Sequence, residues 1–94
     1  MTKTTFKQSI TGSKPPQNLS VYLKALWHDA KGNWAKAHTL IQDFEDKDAA
    51  WIHAYLHRKE GDNRNADYWY RRANKNRPAA DLQVEWEQIV AAFL

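Results

Sequence analysis

Cysteine is absent from this chain. Its absence excludes a disulfide framework, a thiolate nucleophile and any cysteine-ligated metal centre, and it fits the expected cytoplasmic location. Long apolar runs are absent too. No stretch reaches the roughly 18 consecutive apolar residues that mark a membrane span, so no membrane association is expected. Residues Met1 to Phe6 hold no apolar run of signal-peptide kind. Glycine and proline are scarce, three of each, so each marks a particular turn. The HExxH zinc helix, the glycine-rich phosphate loop and a nucleophile pattern are also missing. No cofactor is expected, and the features favour binding over catalysis.

Acidic side chains are missing from the first seventeen residues. Residues 1–17 carry Lys3, Lys7 and Lys14 and no Asp or Glu, so the whole formal excess of +3 lies there. The remainder balances eleven basic against eleven acidic side chains. The basic pI therefore does not describe the body of the protein, which argues against nucleic-acid binding.

Aromatic weight is what the chain does have. A domain of 94 residues buries only a modest core, and five Trp, four Tyr and three Phe supply much of its apolar area. Residues 1–18 read as a flexible basic leader, rich in Thr, Ser, Lys and Gln and interrupted by Gly12, Pro15 and Pro16. Phe6 and Ile10 are its large apolar residues besides Met1.

Residues 19–94 read as one all-α domain: a hairpin over 19–45, a hairpin over 48–74 and a C-terminal helix over 78–93. Ser20 or Asn18 caps the first helix, and Tyr22, Leu23, Ala25, Leu26 and Trp27 form its apolar stripe. Gly32 suits a left-handed helix end. The second helix is expected over Trp34–Phe44, with Ala37, Leu40, Ile41 and Phe44 inward. Asp46 or Asp48 caps the third helix, which brings Trp51, Ile52, Ala54, Tyr55 and Leu56 inward and ends at Gly61. Asp62 or Asn63 starts the fourth, with Ala66, Trp69, Tyr70 and Ala73. Pro78 or the residues just after it open the last helix, whose apolar side is Leu82, Trp86, Ile89, Val90, Phe93 and Leu94.

The two hairpins match at an offset of 29 residues, the step from Tyr22 to Trp51. Ala25 matches Ala54, His28 matches His57, Gly32 matches Gly61, Ala37 matches Ala66 and Ile41 matches Tyr70. Paired helices approach closely only where side chains are small, and bulky neighbours then interlock around the contact.

Gly61-Asp62, Ala66, Tyr70 and Ala73 resemble the Gly-Asp…Ala…Tyr…Ala pattern of tetratricopeptide repeats, with Ala54 at the small position of the first helix. Gly32, Ala37 and Ile41 repeat it more loosely, and residues Ala66 to Ala73 are similar to the second helix of Sel1-like repeats. The likeness spans residues 20–75. The unit is shorter than the usual length of about 34 residues. No proline closes the first unit, and Phe44 replaces its small residue. The resemblance implies a right-handed stack of hairpins with the last helix as a cap, and a protein or peptide partner held on a concave surface.

Two surfaces are candidates for function. Arg58, Lys59, Arg64, Arg71, Arg72, Lys75 and Arg77 form a basic-rich region interleaved with aromatic residues in the second hairpin, a pattern that can hold an acidic peptide, a phosphate or a single-stranded nucleic acid. Asp67 stands four residues before Arg71, the spacing of a helix-surface pair. Tyr55, Arg58, Trp69, Arg71 and Arg72 are expected to face a partner. The alternative is a small-ligand, metal-binding or catalytic protein using the face of His53 and His57, which share a helix side and are a candidate metal pair. His28 is the expected third imidazole, with Asp29 or Glu60 as carboxylate. Val90, Phe93 and Leu94 at the carboxyl end suggest either packing across a hairpin or a homodimer.

Overall fold

Six helices stand where the sequence period predicts five in the computed structural model, which describes all residues from Met1 to Leu94. They are α1 Lys3–Ser9, α2 Val21–Ala30, α3 Trp34–Ile41, α4 Lys47–Lys59, α5 Asn63–Arg72 and α6 Leu82–Phe93. The fold is all-α, and no helix is long and apolar enough to cross a membrane.

The additional helix corrects the reading of residues 1–18 as a leader apart from the body. Thr2 and Thr5 form a reciprocal capping box that starts α1. Phe6 is 0% exposed and lies 6.0 Å, ring to ring, from Trp86. Lys31 Nζ donates to the carbonyls of Ile10 and Gly12 at 2.8 and 2.9 Å, and Trp27 Nε1 donates to Ser9 Oγ at 3.2 Å. Lys7 pairs with Glu87 at 3.1 Å on α6. A single buried aromatic and a set of polar ties thus attach the segment to α2 and α6.

Hairpins α2–α3 and α4–α5 end their first helices in the same way. Gly32 and Gly61 have φ of +83° and +88°. Asn33 N–H donates to His28 O and Asp62 N–H to His57 O, at 2.9 and 3.0 Å, which are equivalent Schellman bonds at matched positions. Asn33 and Asp62 then cap α3 and α5 with their side chains. Asn74 repeats the left-handed exit after α5, at φ 60°.

Ala25, Ala54, Ala37 and Ala66 are all 0% exposed, so the small residues of the repeat do mark the close helix contacts. The first hairpin departs from the pattern at its end. Its second helix stops at Ile41 rather than Phe44, and Phe44 is 44% exposed. No left-handed residue closes that helix, and Asp46 already caps α4 a few residues on.

Both α2 and α3 pack on α4, and α6 lies against α2 and α4. Its helix begins at Leu82 behind the cap Asp81, later than Pro78. Trp86, Ile89 and Val90 are buried, and Phe93 stacks on Tyr22 at 5.0 Å and meets Trp51 edge-on at 6.1 Å. Most of the apolar face of α6 is therefore used within the chain. Val84 and Leu94 remain exposed.

Candidate functional site

The residues expected to face a partner separate into different environments. Tyr55 is 2% exposed, and its hydroxyl donates to Asp29 Oδ2 at 3.0 Å. Arg58 is half-buried, donating to Glu85 Oε1 at 2.8 Å and to the carbonyl of Ala80. Both therefore leave the partner-facing set. At their positions α4 turns toward α2 and α6, whose buried acids Asp29 and Glu85 take up their polar groups. Trp69 stacks on His53 with centroids 3.9 Å apart. Arg72 lies over Trp69 and Tyr68 and donates to the Tyr68 hydroxyl at 3.0 Å. Arg71 faces a different side of α5. Asp67 pairs with Arg77 at 2.9 Å, not with Arg71.

That side of α5 borders an open groove of about 490 Å³, lined by Tyr70, Arg71, Lys75, Asn76, Arg77 and Pro78 among others. Asp67 is its one acidic wall residue and is already paired with Arg77. Arg71 and Lys75 enter no ion pair, since the pairs of this region involve Arg58 and Arg77. Lys75 also lines an adjoining depression with Trp51 and Glu85, where its Nζ lies 4.1 Å from the Trp51 ring centroid in a cation–π contact. The groove thus presents two cations without carboxylate partners, one of them resting on the Trp51 ring at its edge.

Behind the groove stands a buried carboxylate. Glu85 is 1% exposed and accepts from Tyr70 (2.8 and 2.7 Å), Arg58 (2.8 Å) and Trp51 Nε1 (3.1 Å). Asp29, also 1% exposed, accepts from Tyr55 (3.0 Å) and Lys59 (2.9 Å) beside a cavity of about 290 Å³ under α1. Burial, and then the neighbouring carboxylates, push the phenols of Tyr55 and Tyr70 well above the ordinary tyrosine range. These two phenols serve as hydrogen-bond donors to buried acids. Asp29 was expected only as a carboxylate beside His28, and Glu85 was not singled out in the sequence. Glu85 was legible in principle, because it follows Leu82 by three positions and precedes Ile89 by four, on the apolar side of α6.

The histidine face is joined by a different third member from the one expected. His38 of α3, not His28, meets His53 and His57 of α4. His38 Nε2 and His53 Nε2 are 3.1 Å apart, and the His53 and His57 rings stack at 4.8 Å. His57 Nδ1 lies 2.6 Å from Glu60 Oε1. Trp34 stacks on His38 at 4.9 Å and donates its indole N–H to the Leu56 carbonyl at 2.7 Å. Burial first, and the adjacent imidazoles second, pull His53 down to about 4 and lower His38 as well. Both shifts favour the neutral imidazole. His28 stands apart against Trp27. His38 escaped the repeat because its matched position is Asp67. Only the packing of α3 across α4, which periodicity does not settle, brings it in.

No family model, curated protein or solved structure matches the chain.

Proposed function

We propose that this chain is a small helical-repeat binding module that holds an acidic segment of a partner protein along the groove from Arg71 to Trp51. One observation carries the reading: Arg71 and Lys75 line this groove without carboxylate partners, and Lys75 rests on Trp51 in the adjoining depression. Carboxylates of a peptide supply the missing partners through charge-assisted hydrogen bonds. An aromatic beside unpaired cations is a common centre of binding energy. The tetratricopeptide-like pattern of matched hairpins supports the same class of function. Trp69 and Arg72 lie on the adjacent face of α5 and extend the surface.

The test is a titration with a Glu-rich peptide of about ten residues, long enough to bridge both cations at about 3.3 Å per extended residue. It is followed by fluorescence anisotropy at low and high salt. The acidic peptide should bind the full chain, bind more weakly as salt rises, and lose its binding in the R71E/K75E variant. Equal binding of a Lys-rich peptide, or undiminished binding by that variant, would rule the groove out.

A further inference from the structure

We propose that His38, His53 and His57 form a three-nitrogen site for a divalent transition-metal ion of the zinc class. This stands on residues separate from the basic groove and does not depend on the binding-module reading.

The three imidazoles come from two helices. His53 and His57 stand one turn apart on α4, and His38 reaches them across the contact of α3 with α4. Their ligating nitrogens lie within 4.8 Å of one another. The closest pair, His38 Nε2 and His53 Nε2, is 3.1 Å apart. Neighbouring nitrogens on a tetrahedral zinc, with Zn–N of about 2.0–2.1 Å, sit about 3.3–3.4 Å apart. Ligation therefore asks for side-chain adjustment and no rearrangement of the helices.

The surroundings favour a cation over mere packing. Glu60 accepts the Nδ1 proton of His57 at 2.6 Å, which makes Nε2 the acceptor nitrogen of His57. Asn65 Nδ2, a donor, stands 3.4 Å from that same Nε2 and agrees with this tautomer. A carboxylate behind a ligating histidine is the common outer partner in zinc sites, because it orients the ring and raises its basicity. His53 Nδ1 is buried with no hydrogen-bond partner, so the polar groups of the cluster are not satisfied by the protein alone. No lysine or arginine pairs with His57 or Glu60, so no fixed cation takes the metal's place. Trp34 and Trp69 stack on the outer faces of His38 and His53 and hold the rings in place. His38 is only half-buried, so an ion can enter from its side, and water or an outside ligand completes the coordination.

The full chain, stripped with EDTA, is titrated with zinc chloride by calorimetry and melted with and without the metal. A cobalt(II) spectrum is recorded in parallel. One zinc per chain, a higher melting temperature and tetrahedral cobalt absorption are expected. H38Q changes a half-buried residue and should keep its helical circular dichroism while binding zinc more than about tenfold more weakly, and E60Q should lose about tenfold. H28Q, remote from the cluster, should bind as the parent does. Failure of the parent chain to bind zinc at one-to-one overturns the proposal, as does equal affinity of the parent and H38Q.

Discussion

Tyr70 and Glu85 are joined by hydrogen bonds of 2.8 and 2.7 Å from one phenol to both carboxylate oxygens, inside the contact between the second hairpin and α6. Arg58 supplies the counter-charge at 2.8 Å. Breaking a buried ion pair by removing one partner costs about 3–5 kcal/mol, because the remaining charge stays desolvated. Glu85→Leu should therefore destabilise the protein by that order. Tyr70→Phe, which leaves Glu85 with Arg58 and Trp51, should cost about 1–3 kcal/mol. The Arg58→Met/Glu85→Leu double variant should recover much of the loss, since it removes both charges. Urea unfolding of the parent, Arg58→Met, Glu85→Leu and the double variant checks this as a double-mutant cycle, with Tyr70→Phe measured beside it, and strictly additive losses would show that the pair is uncoupled.

Phe6 ties α1 to the core through Trp86 alone among aromatic contacts. Its truncation leaves a cavity where no neighbouring apolar residue of α1 is buried. Phe6→Ala should lower stability by about 3–5 kcal/mol, and Lys7→Ala, which breaks an exposed pair with Glu87, by less than about 1 kcal/mol. Denaturant midpoints distinguish the two. An unchanged midpoint for Phe6→Ala would mean that α1 does not contribute to the folded core.

The hairpins were legible because their signals are local. Gly32 and Gly61 fix the helix exits, Asn33 and Asp62 the next caps, and the four matched alanines the close contacts, all at one offset. What lay outside the sequence reading depends on contacts between distant segments. Phe6 is a lone aromatic in a polar stretch, and only its pocket beside Trp86 shows that it is core. Tyr55 and Arg58 carry the residue types of a binding surface, yet α2 and α6 supply buried acids that turn them inward. His38 has no match in the repeat and joins His53 only through the register of α3 on α4. The composition pointed to the second hairpin as the functional region. The structure places a basic groove beside Trp51 on that hairpin and a separate histidine cluster that takes its third member, His38, from the first hairpin.

The three left-handed helix exits make a graded prediction. No atom lies within 4 Å of an added Cβ at Gly32 or Gly61, so a substitution there meets only the backbone penalty of positive φ. Gly32→Ala and Gly61→Ala should each cost about 1–2 kcal/mol, and by similar amounts, because the two Schellman ends are equivalent. Asn74 already tolerates φ of 60°, and Asn74→Gly should be neutral to slightly stabilising. Thermal or urea unfolding measures all three. A large difference between the glycine variants would show that the hairpins are not equivalent in energy.

Asp46 caps α4 and also accepts from a tyrosine of α2, with the Ala49 amide at 3.0 Å and the Tyr22 hydroxyl at 2.7 Å. Burial alone would raise its carboxyl, but hydrogen bonds from Tyr22 and the backbone amides of Ala49, Asp46 and Asp48 outweigh it and hold the group below the ordinary 3.8. The same hydrogen bond, with burial added, pushes the Tyr22 phenol up to about 12. Folding therefore favours the Asp46 carboxylate. Its contribution is complete above the unfolded-state pKa and is lost as pH falls through the lower folded value. Asp46→Ala should cost about 1 kcal/mol at pH 7, the usual loss of an N-cap, and the gap from the parent should narrow below pH 3.8 as the parent protonates. Asp46→Asn should keep most of the cap and lose most of this pH dependence. In a spectrophotometric titration, both substitutions should bring Tyr22 ionisation down from about 12 toward 10.0. An unshifted tyrosine titration in Asp46→Ala would show that the two side chains do not share this bond.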